Sequence, residues 1–134
     1  MTITLNKQNI QNDINARYMM TMQDADTMPP AGERDQAISE AFSSLVALLS
    51  PMVSGSTPAS LSIELHSTAR VAPGKDSLED SAHSFVVSSA LARIYYNMRM
   101  AEQAQINAAV AKDDDATIIE NIVFTVSRPT PWNG

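Results

Sequence analysis

The residues best suited to acid–base chemistry are the two histidines, His66 and His83. His83 lies close in sequence to Ser81 and Ser84, so a serine–histidine–aspartate arrangement is conceivable around it. However, the chain has no G-x-S-x-G segment, the strand–turn–helix setting of many nucleophilic serines. It also has no cysteine, which removes thiolate nucleophiles and cysteine-ligated zinc. We therefore predict no catalytic residue and expect a protein that is not an enzyme.

Three consecutive acids, Asp113–Asp115, resemble a cation-binding cluster at first sight. An EF-hand loop needs spaced oxygen ligands, a central glycine and a terminal glutamate, and none of these occurs in that register. Because acids at the C-terminal end of a helix oppose its dipole, we interpret the cluster as a solvated turn where a helix stops. The four glycines, at positions 32, 55, 74 and 134, cannot form a glycine-rich phosphate loop. We predict no metal site and no cofactor.

Two tyrosines, Tyr95 and Tyr96, lie between Arg93 and Arg99 and could stack on and clamp a nucleic-acid strand. The chain as a whole is acidic, with 15 acidic and 9 basic residues and a net charge of -6. Non-specific nucleic-acid binding needs clustered lysine and arginine, whereas the bases here are scattered. We interpret these side chains as core or interface positions and predict no sequence-specific nucleic-acid partner.

The segments that must position these residues predict a mostly helical α+β fold. At 134 residues the chain can bury the core of a single domain, which we assign to residues 1–127. Three helices and two strands are expected in the order α-α-β-α-β. No run approaches the ~20 apolar residues of a membrane helix, and the polar segment MTITLNKQNIQND lacks the apolar core of a signal peptide. We expect no membrane partner and no export through a signal peptide.

Hydrophobic periodicity locates the first two helices. The first is predicted over residues 4–22, with Thr4 as its N-cap, and the second from residue 33 to residue 49 or 52. Pro29 and Pro30 separate them, because proline cannot continue a helix. The apolar stripes are Ile10, Ile14, Tyr18 and Met22 in the first helix, and Ile38, Phe42, Leu45 and Leu49 in the second.

Two segments alternate apolar and polar residues in the manner of half-buried strands. Leu61, Ile63 and Leu65 define the first, and the second is predicted over residues 117–127, where Ile118 and Ile122 share one parity. A pair of strands alone is marginally stable and leaves its edges exposed. We therefore expect a strand from a neighbouring subunit to complete the sheet.

The third helix is predicted from the absence of glycine and proline between Asp76 and Lys112. A seam of alternating four- and three-residue steps runs through Val87, Leu91, Ile94, Met98, Ala101, Gln105 and Ala108. Phe85, Ala92 and Tyr96 mark a second face, which suggests burial on more than one side.

The predicted length of this helix favours assembly. If it is continuous over residues 78–111, it spans ~50 Å, whereas a sphere with the expected radius of gyration of ~14 Å is ~36 Å across. The far end, with Ile106 and Val110 one turn apart, would then pack on another chain. The alternative is a helix broken near Glu102.

The segment SRPTPWNG carries the only tryptophan, Trp132, behind two prolines. Pro129 and Pro131 favour an extended, polyproline-like tail over residues 128–134, and tryptophan is strongly enriched among interface anchors. We interpret Trp132 as a peg for another chain; the alternative is that it covers its own helix. The predicted interface residues are Met98, Ile106, Val110, Arg128, Pro129, Pro131 and Trp132.

Three segments together carry a resemblance of layout: MTITLNKQNIQNDINARY as a short first helix, SFVVSSALARIYYNMRM as a long apolar helix, and RPTPW as a tail. In this layout the chain resembles the small head–tail connector and neck proteins of tailed bacteriophages. The resemblance implies a non-enzymatic subunit of the virion, assembled in the bacterial cytoplasm. Its partners would be copies of itself in a ring and the portal and tail proteins. The strand pair departs from this family, many of whose members are nearly all helical.

A different function remains open. The same features also fit a small, acidic, cytosolic interaction or regulatory protein that acts as a monomer or dimer without a ring.

Overall fold

The described residues form a mostly helical α+β fold, as the sequence predicts, but with more elements than expected. This computed structural model describes residues 2–24, 26–50, 52–66 and 75–126, with side chains up to residue 119. The elements are β1 (Thr2–Thr4), α1 (Lys7–Met22), α2 (Ala31–Leu49), β2 (Val53–Thr57), β3 (Ser62–Leu65), α3 (Lys75–Asn97) and α4 (Ala101–Val126), with a short 3-10 turn at Pro58–Ser60.

The first two helices lie close to their predicted positions because their apolar residues recur with regular helical spacing. Ile10, Ile14 and Tyr18 of α1 are buried, and so are all four stripe residues of α2. The predicted N-cap of α1 was wrong. Thr4 belongs to β1, and Asn6 caps α1 instead, since its side-chain oxygen accepts from the Asn9 backbone N–H at 2.9 Å.

A polar cluster links α1 to the start of α2. The Asp35 carboxylate accepts hydrogen bonds from Gln11 and from Arg34 Nε, both at 3.0 Å. Burial raises the pKa of Asp35, but these hydrogen bonds and the charges of Arg34 and Lys7 outweigh burial and hold the pKa below its ordinary value of 3.8. The cluster therefore fixes the register of the two helices through a charged aspartate.

The sheet has three described strands, in the order β1-β3-β2 with both pairs antiparallel. Only β3 lies at a predicted strand, and it begins at Ser62 because Leu61 adopts a left-handed conformation at the end of the 3-10 turn. Neither β1 nor β2 was predicted. Ile3 lies opposite Ile63, and both are fully buried. The Thr4 backbone N–H donates to the Glu79 carboxylate of α3 at 2.8 Å, which ties β1 to the helical layer. The chain's own β1 and β2 pair with both edges of β3, so the marginal stability of an isolated strand pair no longer calls for a strand from a neighbouring subunit, while β1 and β2 are the edge strands of the described sheet.

Helix α3 is the centre of the fold, and its predicted burial on more than one side is confirmed. It packs against α1, α2, α4 and β1. Two buried serines of α3 accept hydrogen bonds from arginines: Arg17 donates to Ser88 Oγ at 3.4 Å, and Arg93 donates to Ser89 Oγ at 2.9 Å.

Of the two alternatives for residues 78–111, the structure shows the broken helix, since α3 ends at Asn97 and α4 begins at Ala101, close to the predicted break near Glu102. Arg99 adopts a left-handed conformation with φ 61°. Its N–H donates to the Tyr96 carbonyl at 3.0 Å, and the Met100 N–H donates to the Tyr95 carbonyl at 2.9 Å. This pair of bonds is a Schellman motif, which ends a helix and reverses the chain. Helices α3 and α4 therefore pack against each other as a hairpin, and the length argument for assembly is overturned.

The predicted strand over residues 117–127 was also wrong, because α4 continues to Val126. Ala104, Ala111 and Ile118, spaced seven residues apart, are the buried positions within residues 101–119 of α4 and share one helical face. Ile118 and Ile122 are four residues apart, so the same β-branched run also fits a helical stripe. Packing along α3 decides in favour of the helix.

Within the described ranges, none of the helices is long and apolar enough to cross a membrane. The predicted tail over residues 128–134 lies outside the described residues, and with it the predicted interface residues Arg128, Pro129, Pro131 and Trp132.

Candidate functional site

The two histidines occupy unrelated positions. His66 is exposed beyond β3, where its backbone N–H donates to the Met52 carbonyl at 2.8 Å. His83 of α3 lies 2.5 Å from the Asp13 carboxylate of α1. The Ser84 hydroxyl donates to Asp114 of α4 at 2.6 Å and does not meet His83. Among the described residues no serine–histidine hydrogen bond occurs, so these contacts act as links between helices.

The acid triplet lies inside α4 and not in the predicted turn. Asp114 faces α3 and accepts the Ser84 hydrogen bond, while the Asp113 carbonyl accepts from the Thr117 hydroxyl at 3.1 Å. The turn was predicted because acids oppose a helix C-terminus, but α4 ends eleven residues later, beyond the reach of that effect. The part of the chain that the structure describes contains no group of three or more histidine, aspartate or glutamate side chains that could hold a metal ion.

The two adjacent tyrosines lie in opposite environments. Tyr95 is fully buried, and its ring stacks on Tyr18 of α1 with centroids 5.9 Å apart and planes 3° from parallel. Burial, Tyr95 and the nearby Glu33 together raise the pKa of Tyr18. Tyr96, by contrast, is 75% exposed. The four residues of the supposed nucleic-acid clamp therefore do not form one surface.

Tyr96 lies on an open groove of about 950 Å³ formed by α2, α3 and α4. The second face predicted for α3 supplies part of it, since Phe85, Ala92 and Tyr96 all line the groove. The facing wall is built by α4, where four alanines are spaced by three and four residues: Ala101, Ala104, Ala108 and Ala111. This spacing places all four methyl groups on one helical face. Their small size leaves open the space that larger side chains would fill.

Charged and polar groups border the apolar floor. On the α2 side, Arg93 lies 3.3 Å from Glu40 and donates to Ser44 Oγ at 3.1 Å, so its charge is compensated. On the α4 side lie Lys112 and Asp115, one turn apart. The Asp115 side chain forms no hydrogen bond or ion pair with the described residues. The groove thus combines an apolar floor, a free aromatic ring and one available carboxylate.

The other predicted interface residues lie away from this groove. Ile106 and Val110 are 51% and 39% exposed, one turn apart on a different face of α4. Met98 lies in the α3–α4 turn at 40% exposure, and its sulfur accepts from the Tyr18 hydroxyl at 3.4 Å. Ile106 and Val110 therefore share one face of α4, whereas Met98 belongs to the turn that precedes this helix. Their assignment as interface residues stays a prediction.

Sequence reasoning found one wall of the groove and missed the other. The alanine spacing in residues 101–111 is visible in the sequence, but in one straight helix it predicts only a surface at the far end and no groove. Gln36 and Glu40 of α2 carried no signal, because exposed polar residues on a helix are ordinary.

Comparison with protein-family models, with curated proteins and with solved structures finds no match to this chain. Its function is therefore inferred from its own residues.

Proposed function

We propose that this protein is a non-catalytic, self-assembling structural protein that holds a segment of another polypeptide in the α2–α3–α4 groove. The carrying observation is the open groove of about 950 Å³, with its alanine wall and the exposed Tyr96 ring. Large rings are stable contact surfaces with little conformational entropy to lose, and interface cores are enriched in them. Tyr96 lies outside the hydrophobic core formed by the described residues.

The more specific form of the proposal is a subunit of a bacteriophage neck, with copies of itself and the portal and tail proteins as partners. Its support is the resemblance of layout together with the apolar side chains exposed on α4. Two sequence arguments no longer support a ring, since α3 and α4 form a hairpin and the chain supplies its own third strand. In place of these two arguments, the open groove is the structural feature that favours a binding partner.

The test is the mass of the full chain over a range of concentrations, measured by light scattering after size exclusion. We expect species heavier than the 14.5 kDa monomer as concentration rises. Ala108→Glu places a charge in the groove wall and should shift the equilibrium toward monomer. The matched control is Ala109→Glu, the same change at an exposed position outside the groove.

Either of two results contradicts the proposal. A chain that stays monomeric at every concentration does not self-assemble. Equal behaviour of the two glutamate variants would remove the groove from the interface. Circular dichroism of both variants establishes that they fold, which is expected because both alanines are exposed and glutamate is a good helix former.

A further inference from the structure

We propose that the occupant of the groove is the tail of a second copy of this chain, residues Arg128–Trp132. This inference rests on the proposed self-assembly and names the two surfaces that would meet. The groove supplies a site of the right chemistry, and the sequence of the tail supplies the complementary ligand.

The groove has the character of a site for a proline-rich segment. Proline-rich segments bind in shallow grooves lined by aromatic rings, because their extended backbone is already ordered before binding. Here Tyr96 offers an exposed ring at the mouth, and Phe85 contributes to the floor. The alanine wall allows a bulky side chain to approach the α4 backbone closely.

The tail fits this site by composition. Pro129 and Pro131 alternate with Arg128, Thr130 and Trp132, so a short stiff segment presents one aromatic anchor. Burying an indole ring removes 150–250 Å² of surface, the largest contribution available from a single side chain. Residues 127–134 contain one base and no acid, whereas the chain as a whole carries a net charge of -6. The charged lining of the groove is balanced, with two acids and two bases, so the charge match rests on the pairing of Arg128 with one particular carboxylate and not on the overall charge.

The spacing of charge and ring in the tail matches the groove. Arg128 and Trp132 are four residues apart, or ~12 Å in a polyproline conformation at ~3.1 Å per residue. Ala108 and Asp115 are seven residues apart on α4, or ~11 Å at 1.5 Å per residue. With the indole over Ala108, Arg128 would lie beside Asp115, the groove-lining carboxylate without a described partner. Guanidinium and carboxylate groups form strong, directed hydrogen bonds.

The reach of the tail selects a second copy over the same chain. Trp132 lies six residues beyond Val126, the last residue of α4, which allows at most ~21 Å of extended chain. Ala108 lies eighteen residues before Val126, a distance of ~27 Å along the helix. In the polyproline conformation the six residues span only ~19 Å, so the backbone at Trp132 ends ~8 Å short of its own Ala108 before the reversal of direction is counted, and in this register the groove takes the tail of a second copy.

Such a contact is heterologous, because the tail of one copy meets the groove of the next. Repetition of one heterologous contact gives a closed ring or an open filament, depending on the rotation between copies. A single pair of surfaces, used once as donor and once as acceptor on every copy, would be enough to build either assembly.

The test uses Trp132 itself, since it is the only tryptophan. The full-length Trp132→Ala chain is the receptor and has no tryptophan signal, and a peptide of residues 127–134 is the probe. We expect saturable binding, with the peptide's emission moving to shorter wavelength as the indole leaves water. A Trp132→Ala peptide should compete at least ~25-fold more weakly, the loss typical of an aromatic anchor.

Receptor variants locate the peptide. Ala108→Glu should weaken binding at least tenfold, while Ala109→Glu, on the exposed side, should leave it unchanged. Asp115→Arg should weaken the native peptide, and an Arg128→Asp peptide should restore binding to that receptor. Absence of saturable binding, or equal effects of the two glutamate substitutions, would overturn the pairing.

The intact protein separates failure of this inference from failure of the proposed function. If tail and groove join different copies, tryptophan emission and molecular mass change together on dilution. If the Trp132→Ala variant assembles as well as the wild-type chain, self-assembly stands but the tail has no part in it, and only this further inference fails. A chain whose indole is buried at every concentration holds its own tail, which also overturns the pairing. A chain that never assembles refutes the proposed self-assembly itself.

Discussion

Replacing Arg99 by glycine should stabilise the protein, because this residue holds the reversal between α3 and α4 in a left-handed conformation. Its φ is 61°, and its N–H caps the Tyr96 carbonyl. The side chain is exposed and forms no hydrogen bond or ion pair with the described residues. Substitution therefore removes backbone strain without removing a side-chain contact.

The magnitude follows from two opposing terms. A residue with a Cβ atom loses about 1–2 kcal/mol in the left-handed region, and glycine does not. Glycine also makes the unfolded chain more flexible, which costs about 0.4–1 kcal/mol. The net gain is about 0–1.6 kcal/mol with a midpoint of about 0.8 kcal/mol, which corresponds to a rise in melting temperature of about 3 °C for a chain of this size.

The sign of the effect separates the hairpin from the continuous helix. If residues 78–111 formed one straight helix in solution, glycine at position 99 would lie in a helix interior and lower stability by about 1 kcal/mol. The assay is thermal and urea unfolding of Arg99→Gly beside Arg99→Ala, which removes the same charge but keeps the Cβ atom. Ala109→Gly, inside α4, is the control for a true helical position and should lose about 1 kcal/mol. A lower stability for Arg99→Gly would refute the hairpin.

Three further substitutions test the fold. The Tyr95 hydroxyl is buried without a hydrogen-bond partner among the described residues. Tyr95→Phe should therefore raise the free energy of unfolding, measured in urea, by about 1 kcal/mol. A lower free energy of unfolding would show that the hydroxyl does have a partner. Ile118→Ala, at a fully buried site, should lower it by about 2–5 kcal/mol, whereas the exposed Ile119→Ala should change it little. Because the pKa of Asp35 is lowered on folding, its charged form stabilises the protein above the ordinary pKa of 3.8, and that contribution is lost as pH falls through the folded-state pKa. Asp35→Asn should therefore destabilise the protein most at pH 7 and progressively less in acid, as measured by thermal unfolding from pH 7 to pH 2. A difference in stability that does not change with pH would contradict the lowered pKa.

The elements that sequence reasoning located correctly have two signals in common. In α1 and α2 an apolar stripe of one period is bounded by residues that cannot continue the helix, such as Pro29 and Pro30. In β3 the alternation of Ile63 and Leu65 with polar neighbours has no competing helical reading. Where the period and the boundary residues agree, a local pattern is enough to fix the element.

The missed features depend on interactions that no local pattern records. The reversal at residues 98–100 contains neither glycine nor proline, and backbone hydrogen bonds to Tyr95 and Tyr96 hold Arg99 in an unfavourable conformation. Strand β1 is three residues long, too short to show a period, and exists because β3 offers it an edge. The run that begins at Ile118 satisfies both a two-residue and a four-residue period, and burial along α3 selects the helix.

One backbone conformation connects these errors to the candidate site. In a straight helix, Phe85, Ala92 and Tyr96 would continue toward residues 101–111 along the same rod, and the alanines would face outward with nothing opposite them. The reversal at Arg99 turns α4 back along α3, so that the alanine face borders the same space as the aromatic face. The carbonyl of Tyr96 accepts the Arg99 N–H, so the residue at the mouth of the groove is itself part of the turn. Arg99→Gly, which relieves strain while keeping the turn, should therefore leave binding of the tail peptide intact as it raises stability. Loss of peptide binding by this more stable variant would contradict the assignment, because it would mean that the groove needs the Arg99 side chain and not only the turn.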